Sequence, residues 1–143
     1  MATPATTTRA DPAYEAWEAF MELFGAQKSR MLSVQAEHGL TPPQYFALNA
    51  MDEPTPMGKI ADILKCDNSN LTWITDRLEE RGLVERRSNP DDRRIKLLVL
   101  TDEGRRVRDE IRARLAVPPA GLTNLSRADQ RALRDILRRA LGG

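Results

Sequence analysis

The stretch that most constrains this chain runs from Asp67 to Thr101. Leu71, Ile74 and Leu78 recur at the spacing of a helix with one buried face, and the pattern stops at Gly82. A short apolar and basic segment follows, Leu83 to Arg87. Then comes a turn, Ser88-Asn89-Pro90-Asp91-Asp92-Arg93-Arg94, and a second apolar run from Ile95 to Leu100. Helix, strand, charged loop and strand outline a winged helix. The rest of the chain can be read as holding this unit or placing two copies of it.

Upstream, residues 1–11 carry no apolar periodicity and read as a disordered N-terminal arm. A long helix should begin near Pro12 and stop at Gly39. Trp17, Phe20, Phe24, Met31 and Val34 form its main stripe, and Tyr14, Met21, Leu23 and Leu32 add further apolar faces. A helix apolar on several sides needs more than one partner, which hints at a subunit interface. Thr41-Pro42-Pro43-Gln44 is a helix start with a capping box. That helix breaks at Asp52-Glu53-Pro54-Thr55-Pro56. A short helix with Ile60, Ala61, Ile63 and Leu64 follows, then a polar turn at 65–68 and a helix over 69–81. Two short helices joined by about four residues make a helix-turn-helix. After the strands, Thr101 caps a helix lined by Val107, Ile111 and Leu115 that ends at Pro118-Pro119 and Gly121. Ser126 starts the last helix, lined by Leu133, Ile136, Leu137 and Leu141. The expected fold is mainly α with a small β-hairpin, in the order α-α-α-α-β-β-α-α. Residues 41–100 form the winged helix-turn-helix, and 12–40 with 101–143 form a helical dimerisation region.

The 143 residues suffice for one domain with a single core. No apolar run approaches the ~20 residues of a membrane span, and no secretory signal is visible. One cysteine, Cys66, excludes a disulfide framework within the chain and fits the cytoplasm. Charge is uneven: residues 1–76 hold 5 Lys and Arg against 10 Asp and Glu, residues 77–143 hold 17 against 11. The basic half suits an anionic partner. One histidine, one cysteine and no metal-spaced cluster leave little material for an enzyme, and no metal or cofactor is expected.

The chain resembles the MarR family of bacterial transcription regulators. The resemblance is carried by Leu40-Thr41-Pro42-Pro43-Gln44, by Asp76-Arg77-Leu78-Glu79 with Gly82-Leu83-Val84 and Arg86, by Pro90-Asp91-Asp92-Arg93-Arg94, and by Leu100-Thr101-Asp102-Glu103-Gly104. It implies a homodimer joined through the N- and C-terminal helices. It also implies binding to a pseudo-palindromic operator in double-stranded DNA, and often release by a small aromatic or lipophilic effector or by oxidation. The expected function is that of a sequence-specific repressor of its own or neighbouring genes. A winged helix used only for protein interaction is the alternative, against which the basic wing and polar recognition helix argue.

In a winged helix the first turns of the recognition helix face base edges. Asn68, Ser69, Asn70, Thr72 and Trp73 lie there, with Arg77 one turn on. Asn pairs with adenine, Ser and Thr serve several bases, and amides at a helix start bind phosphate. Asn68 and Ser69 have a second reading as helix caps. Trp73 departs from the family, where many members carry arginine. It either meets a thymine methyl or the DNA backbone, or packs on its own domain. Arg77 either reaches a phosphate or pairs with Glu80 or Asp76.

Asp92 and Arg94 alternate and so share one side of the turn. In the family, Asp92 would orient Arg94, whose guanidinium enters the minor groove, where the negative potential is enhanced. Arg93, Arg86, Arg87 and Lys96 read as phosphate contacts or solvated charges. The resemblance also places an effector pocket between the dimer helices and the winged helix. Trp17, Phe20, Phe24, Tyr45, Leu48 and Met51 could line it, with Tyr45 and His38 as polar handles; aromatics at this spacing equally serve as core. Cys66 reads as packing rather than as a redox sensor.

Overall fold

Each main helix begins where the sequence supplies an acceptor for its free amides. The computed structural model describes residues 11–142, so residues 1–10 of the expected arm lie outside it. Asp11 caps α1 (Pro12–Glu37) by accepting from the Ala13 amide at 2.8 Å. Gln44 in α2 (Pro42–Asn49) turns back to accept from the Thr41 amide at 3.1 Å. Asp67, Thr101 and Ser126 cap α4 (Asn68–Glu80), α5 (Asp102–Ala116) and α7 (Arg127–Ala140) through their side chains. Between these lie β1 (Thr55–Pro56), α3 (Met57–Leu64), β2 (Val84–Ser88), β3 (Lys96–Leu100) and α6 (Ala120–Thr123).

The expected order therefore holds with two additions. The sheet is three-stranded and antiparallel in the order β1-β3-β2, not a bare hairpin. Thr55 and Pro56 lie opposite Leu98 and Leu97. Two residues are too few to show alternation, and proline is tolerated on an edge strand, so the sequence shows only a break there. Likewise Pro118-Pro119 ends α5 and then starts the one-turn α6, whose N-cap is Pro119.

The core joins α2, α3, α4, the sheet and α5. Leu48, Met51, Ile60, Leu71, Ile74, Leu78, Leu98 and Ile111 are fully buried. Arginines then tie its parts together. Arg108 of α5 is buried and donates to the Met51 carbonyl and to Asp52. Arg112 donates to the Asn49 side chain and carbonyl and to Asp52. Together they satisfy the carbonyl end of α2. Arg81 does the same for the end of α1, donating to the His38 and Gly39 carbonyls at 2.7 Å each.

The wing is placed by a junction around Gly82 and Gly104. Gly82 ends α4 at a φ of 68°, a left-handed conformation that disfavours a side chain. Thr101 donates from its hydroxyl to the Gly82 carbonyl at 2.6 Å and from its amide to the Leu83 carbonyl at 3.1 Å. Its hydroxyl oxygen in turn accepts from the Gly104 amide at 3.0 Å. A Cβ on Gly104 would stand 1.9 Å from the Leu83 oxygen, so only glycine admits this approach. That gives a physical reason for the Leu100–Gly104 motif.

The terminal helices contrast with this core. Trp17, Phe20, Met21, Leu23 and Phe24 of α1 are exposed, and α7 buries none of its residues. Ile136, Leu137 and Leu141 line an uncovered apolar face.

Candidate nucleic-acid interface

The turn before α4 is made by Lys65 in a left-handed conformation, with φ of 51°. It brings Asp67 to the cap position, where its carboxylate accepts from the Asn70 amide at 2.7 Å. Asp67 therefore does the capping that Asn68 and Ser69 were candidates for. Asn68, Ser69 and Asn70 occupy the first helical turn, exposed and with side chains free of hydrogen bonds within the described residues. Leu71, Ile74, Thr75 and Leu78 point into the core. Thr72 is exposed and its hydroxyl donates to the Asn68 carbonyl.

Trp73 is 53% exposed, so it does not pack into its own domain. The Arg77 guanidinium lies 5.7 Å from its ring centroid and binds Glu80 at 2.9 Å. Of the partners considered for Arg77, the fold uses Glu80, because Asp76 is taken by Arg86.

Arg86 requires a correction. The sequence suggests a phosphate contact or a solvated charge. The structure engages it with Asp76, with Glu79 at 3.0 Å and with the Thr72 carbonyl at 3.4 Å. Burial would lower its pKa, but the hydrogen bonds and negative charges of Asp76 and Glu79 outweigh this and raise it. The residue joins β2 to α4 and neutralises carboxylates on the recognition helix. Its carboxylate partners lie 7 and 10 positions back along the chain, beyond any local pairing rule.

The wing loop closes through the Asn89 amide donating to the Ile95 carbonyl and the Ile95 amide to the Asp92 carbonyl, each at 3.0 Å. Asp92 grips Arg94 three times: the amide at 3.0 Å, Nε at 3.1 Å and Nη2 at 3.2 Å. Those bonds hold the Asp92 carboxyl below the usual carboxylate range. The Arg94 side chain remains 90% exposed. The fork thus removes freedom from the guanidinium without covering it. Lys96 donates to the Ser88 hydroxyl at 3.0 Å, and Arg93 is exposed.

These two sites face one groove of about 490 Å³. Asn68, Leu71 and Thr72 line it from α4, Arg94, Ile95 and Lys96 from the wing, and Pro56, Met57 and Gly58 from the end of β1 and the start of α3. The residues suggested for an effector pocket are not gathered in this way. Tyr45, Leu48 and Met51 are core, and burial pushes the Tyr45 phenol up. Trp17, Phe20 and Phe24 stack in a row on the exposed side of α1, with centroids 5.7 and 6.3 Å apart. Cys66 is partly buried against the core.

A helix-turn-helix followed by a β-wing, flanked by helices at both ends, defines a winged helix-turn-helix protein. Residues 40–96 match the MarR family model, and the chain is similar to that family over this span. It is 36% identical over 84 residues to the HTH-type transcriptional repressor MdtR of Bacillus subtilis, covering 57% of this chain and 54% of that protein. The chain thus spans about half the length of that relative. Among solved structures, YusO from Bacillus subtilis superposes with a TM-score of 0.82 at 26% identity, over 96% of this chain and 99% of YusO. The PcaV transcriptional regulator from Streptomyces coelicolor, solved with its natural ligand, has a TM-score of 0.56 at 27% identity, covering 100% and 99%. No helix among the described residues is long and apolar enough to cross a membrane.

Proposed function

We propose that this protein is a homodimeric, sequence-specific DNA-binding transcriptional regulator that represses its target genes. The first turns of α4 enter the major groove, where Asn68, Ser69, Asn70, Thr72 and Trp73 meet base edges. Arg94 enters the adjacent minor groove, and Arg93 and Lys96 meet phosphates. The observation that carries this reading is the Asp92–Arg94 fork. A guanidinium held by two hydrogen bonds, with a third fixing its own backbone amide, and yet left 90% exposed is prepared for an anionic partner, and it makes no other hydrogen bond or ion pair among the described residues.

The uncovered apolar faces of α1 and α7 support the dimer, since surfaces of this kind are rarely left to water. Two copies would set recognition helices about 34 Å apart, one turn of DNA or a multiple. Repression is the sign that the name of MdtR supports. The ligand-bound PcaV supports a small effector. The exposed Trp17, Phe20 and Phe24 would offer that effector an aromatic wall where the two subunits meet.

The test is binding of the intact protein to labelled duplex from upstream of its own gene. Saturable binding that falls steeply with salt is expected, with Arg94→Ala weaker. Equal affinity for every duplex, unaltered by Arg94→Ala, would sink the proposal.

A further inference from the structure

A polar recognition face has an indole at its middle, and no packing within the fold accounts for it. In the second and third turns of α4 the other exposed side chains are already engaged. Thr72 donates to the Asn68 carbonyl at 2.8 Å, Asp76 binds Arg86, and Arg77 binds Glu80 at 2.9 Å. Trp73 alone among them makes no hydrogen bond or ion pair, and it stays 53% exposed. The Arg77 guanidinium lies over one face of its ring, 5.7 Å from the centroid. Glu80, Arg77 and Trp73 therefore form a chain along the helix surface, at spacings of three and four residues. The ion pair with Glu80 holds Arg77 beside the indole and offsets its charge.

The indole N–H can donate one hydrogen bond, to a base edge or a phosphate, but the apolar face of the ring gains free energy by burial against an apolar group. In the major groove that group is the C5-methyl of thymine. We propose that Trp73 is a specificity-determining residue that reads a thymine methyl in each half-site, with Arg77 and Glu80 as positioning residues for its ring. This rests on the DNA-binding reading above, and adds which chemical group the second turn of α4 selects.

Duplexes selected by the intact protein from a random pool should carry a thymine at one symmetry-related pair of positions. Replacing that thymine by deoxyuridine removes only the methyl group. Covering one methyl is worth about 4-fold in affinity per half-site, hence roughly 15-fold for both at constant salt. Trp73→Ala should bind the thymine and uracil duplexes equally. Trp73→Phe, which keeps an apolar ring but loses the indole N–H, should retain the difference. Glu80→Gln should keep overall affinity at or above wild type, having one carboxylate fewer, while narrowing the thymine preference. A wild-type protein indifferent to the methyl at every thymine overturns the role of Trp73, as does a preference that survives Trp73→Ala or vanishes in Trp73→Phe. An unchanged preference in Glu80→Gln overturns the positioning role. Failure to enrich any sequence overturns the DNA-binding reading itself, whereas an enriched operator without methyl dependence overturns the assignment to Trp73 alone.

Discussion

Replacing Gly104 by alanine tests the junction that aims the wing. The added Cβ would lie 1.9 Å from the Leu83 oxygen and 2.8 Å from its carbonyl carbon. Real Cβ contacts are not found under 3.0 Å, so α5 and the start of β2 must part by more than an ångström. Both Thr101 hydrogen bonds, to the Gly82 and Leu83 carbonyls, span that gap. Overpacking costs about 1–3 kcal/mol, and weakening each hydrogen bond adds about 1 kcal/mol. Alanine returns up to about 1 kcal/mol through helix propensity. Strain wins, with a net loss of about 2–4 kcal/mol. In urea, with a slope of about 2 kcal/mol/M, the unfolding midpoint should fall by about 1–2 M with the slope unchanged. Protein concentration must be held constant, because the stability of the proposed dimer would depend on it. Gly58→Ala is the matched control. Nothing lies within 4 Å of its Cβ, so it should be neutral or stabilising, by up to about 1 kcal/mol. A Gly104→Ala midpoint at or above wild type would refute the reasoning, by showing that helix propensity outweighs the contact.

Arg94→Ala should weaken operator binding about 10-fold or more in fluorescence anisotropy with unchanged thermal stability, and Arg94→Lys should not restore it, since lysine cannot form the fork with Asp92. Leu137→Asp, on the uncovered face of α7, should shift the protein to monomer in sedimentation velocity and abolish operator binding; a dimer that survives it places the interface elsewhere. Thr75→Val should raise the urea midpoint, by about 1 kcal/mol of stability, because the Thr75 hydroxyl is buried without a partner. The Glu37 carboxyl is held low by its hydrogen bond with Arg114, so its folded pKa lies below the unfolded one. Its stabilising contribution is then complete above the unfolded glutamate pKa and is lost as pH falls through the lower, folded value, so Glu37→Gln should flatten the acid side of a melting-temperature profile.

The wing and the recognition helix were legible because their signals are local. Asp92 and Arg94 are two residues apart, and the turn between them needs only short-range geometry. Caps and helix ends were legible for the same reason, as with Pro12, Thr101 and Gly82. The two-residue β1 was not, because its identity lies in pairing with Leu97 and Leu98, some forty positions away. The partner of Arg86 was missed on similar grounds, and a basic residue in a basic segment reads as solvated until the helix beside it is placed.

The sequence by itself determined the periodicities, the caps and the charged turn, and with them the winged helix-turn-helix order, since each depends on residues within one or two turns of one another. Tertiary structure alone decided which of those residues are free to act. It engaged Arg86 and Arg77 with carboxylates, left Arg94 and Trp73 in solvent, and set the Leu83 carbonyl where a side chain on Gly104 would stand. The reason is that availability for a ligand depends on what else lies within hydrogen-bonding or contact distance. That is a property of packed elements and not of neighbours in the chain.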